Sequence, residues 1–330
     1  MLEHGGRLRE AAAKYNIPLA DWLDLSTGIN PEAWPVPALP IDVWQRLPET
    51  GDGLEASAAD YYGNENLLPV AGSQAAIQLL PMLMPRAVVA CVSPLYAEHP
   101  HAWQRAGHRL RFLQNATLPR ALAATTPYVL LCNPNNPTAD RHPRELAIDA
   151  AQQLKKRGGW LIVDEAFIDP TPEDSLAALA GTAEAPNLIV FRSLGKFFGL
   201  AGARVGFLLA APDLLGKLAE AIGPWSIAGP SRLVARQALQ DRLWQSAARE
   251  KLQVASQRLN LLLQAHGAVK STALFAALTT EQPDALYEFL ARRGILLRRF
   301  EQQALLRCGL PGSEAEWLRL GAALAEWKSA

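Results

Sequence analysis

Residues 192–206 read R-S-L-G-K-F-F-G-L-A-G-A-R-V-G and lie between two strand-like runs, residues 187–191 and 205–209. Lys196 stands in this glycine-rich, aromatic turn, and Arg204 follows it in the same stretch. Burying an ammonium group costs several kcal/mol unless the group is paired or neutral. A neutral lysine in an apolar site is a nucleophile toward carbonyl groups and forms Schiff bases. The stretch therefore indicates a reactive lysine, although S-x-x-K in isolation is more typical of a solvated loop lysine.

The composition is that of an ordinary globular protein. The chain has 330 residues, 49% of them apolar and 19% charged, with 32 Lys+Arg and 32 Asp+Glu. This length allows two domains or one large one. Zero net charge gives no indication of a nucleic-acid or membrane partner, and no apolar run reaches the ~18 residues of a membrane span. Cys91, Cys132 and Cys308 have no metal-ligand spacing, so we expect no metal, no disulfide and a reducing cytoplasm.

Strands and helices alternate through the middle of the chain. The predicted strands are residues 68–71, 87–92, 109–113, 128–132 and 160–163. The predicted helices between them are residues 75–84, 93–106 and 144–157. Continuous apolar strands separated by helices predict an α/β fold with a mostly parallel sheet that is covered on both faces.

The pattern predicts three regions. Residues 1–50 form an N-terminal arm whose proline-dense part excludes a helix or a central strand, so that it runs extended over another surface, such as a partner subunit. Residues 51–222 form a large ligand-binding domain. Residues 223–330 hold interdomain helical sequence, from about 230 to 266, and a small α+β C-terminal domain.

Polar residues follow the predicted strands. Gly72, Ser73 and Gln74 come after the first strand, and Tyr96, Asn136 and Asp164 come after later ones. In parallel sheets ligands bind outside the carboxyl ends of the strands. The four groups therefore converge on one crevice, together with the Lys196 turn.

Part of this set of residues is suited to bind the anionic end of a ligand. A phosphate binds to backbone N–H groups at a helix start together with a cation, and Gly72, Ser73 and Gln74 supply the first. Ser193 and Arg204 supply a hydroxyl and a forked positive charge. Gly-Ser-Gln is equally suited to a plain helix start.

The remaining residues of the set are suited to bind an aromatic ring. Asp164 can keep a pyridine nitrogen protonated, Tyr96 can stack on the ring, and the Asn136 amide can reach a ring hydroxyl. Each has an ordinary alternative, as a helix cap, a core residue and a turn former. Taken together with Lys196, these are the contacts that pyridoxal 5'-phosphate requires from a protein.

Three ordered motifs carry a family resemblance: N-P-N-N-P-T (133–138), D-E-A-F (164–167) and S-L-G-K…R (193–204). With them the chain resembles the fold-type-I pyridoxal-phosphate enzymes, the aspartate aminotransferase superfamily. The resemblance implies the PLP-dependent transferase fold type I and a homodimer. It implies that Lys196 bonds to the cofactor and moves protons, and that Arg307, in L-L-R-C-G, binds the substrate α-carboxylate.

Further stretches resemble one branch of this superfamily, which contains histidinol-phosphate aminotransferase and the threonine-phosphate decarboxylase of cobalamin synthesis. They are L-E-H-G-G (2–6), D-L-S-T-G-I-N-P (24–31), D-E-A-F-I-D (164–169) and P-W-S-I (224–227). They favour the decarboxylase. That family implies decarboxylation of L-threonine O-3-phosphate to (R)-1-amino-2-propanol O-2-phosphate, the linker of the cobalamin nucleotide loop.

Three positions depart from the aminotransferase pattern. Phe167 stands where most aminotransferases of this type have tyrosine, Leu47 stands in place of a tyrosine that reaches the partner's cofactor phosphate, and Ala139 stands in place of glycine. The first departure removes a hydrogen bond to the ring hydroxyl, and the second puts the intersubunit contact in doubt.

The substrate phosphate needs further cations or N–H groups. The candidates are His4 with its Gly5-Gly6 turn, Gly28 and Asn30 in the 27–30 loop, and Arg141. His4 also fits a flexible terminal residue, and Arg141 a solvated loop arginine.

Two rival functions stay open at this point. One is a histidinol-phosphate-type aminotransferase, which uses the same cofactor but breaks a different bond; Phe167 and Leu47 weigh against it. The other is a non-catalytic partner protein in corrin assembly, against which Lys196, Asp164 and Arg204 weigh. A Rossmann NAD enzyme is disfavoured because no G-x-G-x-x-G opens a helix.

Overall fold

The computed structural model describes residues 4–114 and 117–327, and these residues form two compact units. The large unit consists of Trp34–Asn136 and Arg141–Gln245. The small unit consists of the described residues up to Ala33, the segment Pro137–Asp140, and the described residues from Ser246 onward.

The helices and strands follow one another along the chain in this order. The first are α1 (Leu8–Tyr15), β1 (Leu23–Asp24), α2 (Asp42–Gln45), α3 (Leu54–Tyr62), β2 (Leu67–Val70), α4 (Ser73–Leu83), β3 (Val88–Ser93), α5 (Glu98–Arg105), β4 (Arg109–Gln114), α6 (Leu118–Ala123) and β5 (Tyr128–Cys132). The next are α7 (Arg144–Lys155), β6 (Trp160–Asp164), β7 (Leu188–Ser193), α8 (Leu194–Phe197), β8 (Gly206–Leu209), α9 (Pro212–Ile222), α10 (Gly229–Gln240) and α11 (Arg242–Leu263). The last are β9 (Ala268–Ser271), β10 (Phe275–Thr279), α12 (Pro283–Ala291), β11 (Ile295–Leu296), β12 (Arg298–Phe300), β13 (Leu305–Gly309) and α13 (Glu314–Glu326).

The large unit is built on a sheet with the strand order β2-β8-β7-β6-β5-β3-β4. The strands β4, β3, β5, β6 and β7 are parallel, while β8 is antiparallel to both β7 and β2. Every residue of β5 is buried, which explains its continuous apolar sequence. The predicted α/β fold with a mostly parallel sheet is confirmed.

One edge of this sheet collects the ends of the strands. Ser93, Cys132, Asp164 and Ser193 are the last residues of β3, β5, β6 and β7, which run in the same direction. Since β2 is antiparallel to β8, it runs with β7 and ends at the same edge, where α4 begins. The polar strand ends from which a crevice was predicted therefore lie at one edge of this sheet.

The core beneath this edge is apolar and closely packed. Ile77 of α4, Val89 of β3, Ile162 of β6 and Leu208 of β8 belong to one buried cluster and are at most 1% exposed. Burying a side chain of this kind contributes about 1.5–3 kcal/mol. The strand ends are thus held by a rigid support.

The small unit contains an antiparallel sheet with the order β12-β13-β10-β9. A separate parallel pair joins β1 to β11, with Leu23 opposite Ile295. This pairing is one of the contacts that group the described residues up to Ala33 with the C-terminal part of the chain, so the unit boundary differs from the predicted end of the arm at residue 50.

The other difference from the predicted boundaries concerns α10. It belongs to the large unit because it packs on α3, where the Arg232 guanidinium binds Asp52 and Glu55 at 2.7–2.8 Å. The helical sequence predicted for 230–266 divides at Asp241, whose carboxylate accepts a hydrogen bond from the Trp244 N–H at 3.0 Å and so starts α11. None of the helices in the described ranges is both long and apolar enough to cross a bilayer.

Candidate active site

Lys196 lies in the short helix α8, directly after β7. Ser193 starts the turn by accepting a hydrogen bond from the Gly195 N–H at 3.3 Å. The Lys196 side chain is half-buried, and its Nζ lies 5.5 Å from the centre of the Phe167 ring. A cation over an aromatic face is attracted to it. The turn thus places the lysine at the strand-end edge of the sheet.

The two aromatic residues beside the lysine anchor this turn. Phe197 and Phe198 are fully buried, and both rings pack against Trp244, with ring centres 5.4 and 5.6 Å apart. A Cβ at Gly195 would lie 3.0 Å from the Ala201 Cα, so the turn leaves little room for a side chain there. The unusual composition of this stretch follows from the tight packing around Lys196.

An anion cradle lies at the start of α4. Gly72 is the N-cap residue with φ +71, and a Cβ there would collide with the Arg204 guanidinium. A Cβ at Gly206 would lie 2.5 Å from the Ser73 N atom. Arg204 itself adopts the left-handed conformation, with φ 54. The glycines therefore let a guanidinium approach a helix N-terminus, and that combination binds phosphate.

The side chains of Gln74 and Tyr96 meet beside this cradle. The Gln74 Nε2 donates to Glu98 at 2.7 Å, and its Oε1 accepts from the Tyr96 hydroxyl at 3.4 Å. The Gln74 side chain is thus occupied, and its backbone N–H is what it offers to an anion. Burial, together with the charges of Glu98 and Asp164, raises the pKa of Tyr96 to about 12, so the phenol is neutral at physiological pH.

Asp164 is 5% exposed at the end of β6. One carboxylate oxygen lies 2.8 Å from the His99 Nε2, and the other accepts from the Ala166 N–H at 3.0 Å. His99 is 1% exposed, and its Nδ1 has no hydrogen-bond partner in the described part of the chain. The carboxylate is therefore fixed in place and can hold a proton on a ring nitrogen.

His99 was missed by the sequence analysis. It follows Tyr96 by three positions, a spacing that places two residues on one side of a helical turn. A histidine on a helix is more often a core or surface residue, so this signal is weak without the contact to Asp164.

Cys132 completes a buried group with these two residues. Its Sγ, a His99 nitrogen and an Asp164 oxygen all lie within 4.8 Å of one another. Such a set resembles metal ligands, but burial raises the pKa of the Cys132 thiol well above its ordinary value. The contact between His99 and Asp164 makes Cys132 part of the buried surroundings of that carboxylate.

The loop after β5 is held by its first asparagines. Asn133 exchanges two hydrogen bonds with the His142 backbone, at 2.9 and 3.0 Å, and Asn135 donates to the Pro94 carbonyl at 2.8 Å. Both are buried, whereas Asn136 is half-buried. The role of Asn136 toward a ring hydroxyl stays a prediction.

The substrate candidates of the small unit lie together. Arg307 of β13 is 7% exposed, and its Nη2 donates to the Ser26 carbonyl at 2.8 Å. The Gly6 N–H donates to the Ser26 hydroxyl at 2.7 Å, and a Cβ at Gly5 would collide with the Ser26 carbonyl. One region is therefore formed by the turn that follows His4, the loop that leads to Gly28, and Arg307. Leu2 and Glu3 of the L-E-H-G-G stretch lie outside the described residues.

Asn30 and Arg298 add to this region in different ways. Asn30 is 4% exposed, and its side-chain oxygen accepts from the Glu32 N–H at 3.0 Å, so part of its role is to shape the loop. Arg298 of β12 is directly opposite Arg307 of β13. Residues paired in this way point to the same face of a sheet. Arg298 could not be proposed from the sequence, because the register of these strands is not visible in it.

Arg141 is placed differently. It belongs to the large unit, and its Nη1 contacts the Asp174 carboxylate at 3.1 Å and the Thr171 hydroxyl at 2.9 Å. Its role toward a substrate phosphate stays a prediction.

The arrangement in the large unit fits a phosphorylated pyridine ring. The helix start and Arg204 suit the phosphate, Asp164 suits the ring nitrogen, and the charges of both residues act on Tyr96. The lysine lies on the same sheet edge. These are the residues that would hold pyridoxal phosphate.

Comparison with known proteins identifies the family. Residues 42–326 match the model of the family "Aminotransferase class I and II". A "Threonine-phosphate decarboxylase" of Pseudomonas aeruginosa is 55% identical over 99% of this chain and 98% of its own length. A second one, from Sinorhizobium sp, is 41% identical over 98% and 97%. The crystal structure of histidinol-phosphate aminotransferase from Sinorhizobium meliloti, in complex with pyridoxal-5'-phosphate, has a TM-score of 0.84 at 22% identity, over 98% of this chain and 95% of that one, and so shares the fold. This chain therefore belongs to the aminotransferase class I and II family.

Proposed function

We propose that this protein is a pyridoxal-phosphate-dependent decarboxylase of L-threonine O-3-phosphate. The observation that carries the proposal is the 55% identity, over the whole chain, to an enzyme named for that activity. The site supports it, because the lysine, the carboxylate and the phosphate cradle of the cofactor site are all present.

The large unit has the task of holding the cofactor. The N–H groups of Ser73 and Gln74 and the guanidinium of Arg204 bind the phosphate. The Gly72 N–H donates to the Val70 carbonyl at 2.7 Å, so Gly72 contributes the space that Arg204 occupies. Asp164, supported by His99, holds a proton on the ring nitrogen. Pyridoxal phosphate, when bound, supplies an electron-withdrawing ring that takes up the electron pair left on Cα when the carboxylate departs.

The small unit has the task of binding the two anionic groups of the substrate. We assign Arg307 to the α-carboxylate and Arg298, opposite it, to the phosphate, with His4, Gly28 and Asn30 as further phosphate ligands. In the reaction the bond from Cα to the carboxylate breaks, carbon dioxide leaves, and Lys196 Nζ delivers one proton to Cα. The product is the amine phosphate, and no keto acid is consumed.

We also propose that the protein is a cytoplasmic homodimer. Ile41, Trp44, Leu47 and Trp225 are apolar side chains that are 60–69% exposed. Pro48, the neighbour of Leu47 in the sequence, lines the same surface cavity as Trp225. Large exposed apolar patches are typical of protein interfaces. Three buried free cysteines support a reducing compartment.

The test is an assay of purified protein with pyridoxal phosphate and L-threonine O-3-phosphate, without a keto acid. We expect repeated turnover, with one carbon dioxide released for each amine phosphate, and none with Lys196→Ala. Conversion of the cofactor to its amino form by histidinol phosphate, without carbon dioxide, would move the protein to the aminotransferases. Absence of a visible cofactor band would support a non-catalytic protein.

A further inference from the structure

A buried ionic cluster lies on one face of the large sheet, opposite the face that carries Asp164 and Ser193. Arg192, Glu165 and Asp169 are at most 2% exposed. The Arg192 Nη1 lies 3.3 Å from a Glu165 oxygen and 2.7 Å from the Ser175 hydroxyl, and its Nη2 donates to Asp169. The Arg192 guanidinium also lies 4.6 Å from the centre of the Tyr62 ring.

Such a cluster is costly for a protein core. Two carboxylates face one guanidinium, and desolvating each ion costs several kcal/mol before pairing offsets it. Burial raises the pKa of Glu165, and the charge of Arg192 opposes that rise. The Arg192 Nε has no hydrogen-bond partner among the residues that the structure describes. Apolar side chains of similar volume would often serve stability equally well, so the cluster needs another explanation.

The position of the cluster supplies one. Glu165 directly follows Asp164, Arg192 directly precedes Ser193, and Asp169 lies two residues beyond Phe167. Successive residues of a strand point to opposite faces. The cluster is thus on the reverse side of the same short segments that carry the cofactor-site residues.

The backbone ladder ends at this point. The paired register of β6 and β7 ends with Asp164 opposite Phe191, and one further hydrogen bond joins the Glu165 N–H to the Phe191 carbonyl at 3.0 Å. Beyond it, the register of β6 and β7 has no further pair, and the two chains continue to Phe167 and to Lys196. The side chains of Arg192, Glu165 and Asp169 join these two segments where the ladder no longer does.

Ser175 ties the cluster together. Its hydroxyl donates to Glu165 at 2.5 Å and accepts from Arg192, while the Leu176 N–H donates to the other Glu165 oxygen at 2.8 Å. The Tyr61 hydroxyl donates to Asp169 at 2.9 Å. Each carboxylate is therefore held by more than its ion pair, which fixes the geometry of the cluster.

We propose that Arg192, Glu165, Asp169 and Ser175 form a far-face clamp of positioning residues. The clamp fixes Asp164 and Phe167, on the β6 side, relative to Ser193 and Lys196, on the β7 side. It rests on the proposed function only in that these residues hold pyridoxal phosphate.

The clamp predicts an effect on the cofactor that a merely stabilising cluster would not have. Asp164 and Lys196 are proposed to bind the cofactor at two different positions. Binding of the cofactor should therefore depend on the distance between these two residues. Loosening the clamp should weaken cofactor affinity and shift the pH at which the visible absorption of the bound cofactor changes. A merely stabilising cluster would lower the melting temperature and leave both quantities unchanged.

The experiment compares Asp169→Asn with Glu173→Gln, a change at an exposed carboxylate in the same loop. Pyridoxal phosphate is titrated into each apo-protein with tryptophan fluorescence as the readout, and the absorption of each holoenzyme is followed against pH. We expect the dissociation constant of Asp169→Asn to rise about tenfold, the lower end of what losing a supporting partner costs in metal sites. Its pH midpoint should move, and Glu173→Gln should match the parent protein.

A second pair of variants decides the matter if Asp169→Asn does not fold. Ser175→Ala removes one hydroxyl from the clamp, and Ser175→Thr retains it. We expect Ser175→Ala to weaken cofactor binding and to shift the pH midpoint, with rescue by Ser175→Thr. A folded Asp169→Asn or Ser175→Ala protein with the dissociation constant and pH midpoint of the parent would overturn the proposal. Neither readout involves threonine phosphate, so the clamp and the proposed substrate can fail independently.

Discussion

Ala139 occupies a backbone conformation that alanine adopts only under strain. Its φ is +61 and it is 5% exposed, in the position where the aminotransferase pattern has glycine. The left-handed conformation costs a non-glycine residue about 1–2 kcal/mol. Ala139→Gly should therefore raise the free energy of unfolding, by about 1 kcal/mol, as measured by urea denaturation.

The matched control is Ala322→Gly, at an exposed position inside α13. There glycine should lower the free energy of unfolding by about 0.8–1 kcal/mol, because a helix interior does not require it. Equal losses for both variants would show that Ala139 is not strained.

We expect His99 to act on the reaction through Asp164. Its Nε2 lies 2.8 Å from the carboxylate, and both groups are buried. His99→Ala should lower kcat about tenfold and weaken cofactor binding, because the carboxylate loses its supporting partner. His101→Ala, an exposed histidine on the same helix, should leave both unchanged. Steady-state kinetics and cofactor titration check this, and equal behaviour of the two variants would contradict the role.

Much of the candidate site could be proposed from residues at strand ends. Lys196, Asp164, Asn136 and Tyr96 stand in short motifs whose local geometry is set by the strand end beside them. His99 and Arg298 could not be predicted in this way. His99 is of interest because of its contact to Asp164, and Arg298 because of its register opposite Arg307. The sequence around each residue indicates neither feature.

At the scale of the element, the start of α4 depends on the absence of a side chain. Gly72 combines φ +71 with contact to the Arg204 guanidinium. Gly72→Ala should displace Arg204 and weaken binding of pyridoxal phosphate at least tenfold, about 1.4 kcal/mol. The check is a titration of the apo-protein with the cofactor.

The control is Gly216→Ala, inside α9, where a new Cβ meets nothing within 4 Å. This variant should bind the cofactor normally and melt at a slightly higher temperature, because alanine favours a helix. Normal cofactor affinity in Gly72→Ala would show that the cradle does not require glycine.

Elements with a strong pattern were predicted well, and those without one were not. The apolar strands β5 and β6 need no more than burial on both faces to explain their sequence. By contrast, β9 is a short strand that alternates between exposed and half-buried residues, and its sequence A-V-K-S carries little apolar pattern. The break at Asp241 has no glycine or proline, so only its capping side chain marks it.

At the scale of the whole molecule, we expect the proposed homodimer to form through the apolar surface around Trp44, which is 64% exposed. Trp44→Asp places a charge in that surface and should convert the dimer to a monomer in sedimentation equilibrium. Leu318→Asp, at a side chain that is 65% exposed on α13 of the small unit, should remain dimeric. A parent protein that is already monomeric would contradict the proposal.

The grouping of the chain into units could not be foreseen from local sequence. Among the contacts that join the N-terminal residues to the small unit is the pairing of β1 with a strand more than two hundred positions away. Such long-range pairing leaves no periodicity in the sequence. The prediction of separate regions could therefore describe the order of the elements but not which of them pack together.

The most direct test of the central claim is the fate of the Cα hydrogen. L-threonine O-3-phosphate with deuterium at Cα is incubated with the holoenzyme, without a keto acid, and the products are analysed by mass spectrometry. Decarboxylation breaks the bond from Cα to the carboxylate, so we predict that the amine phosphate retains the deuterium and that carbon dioxide forms in equal amount. Loss of the deuterium to solvent, with the carboxylate retained and the cofactor left in its amino form, would contradict the account and identify an aminotransferase.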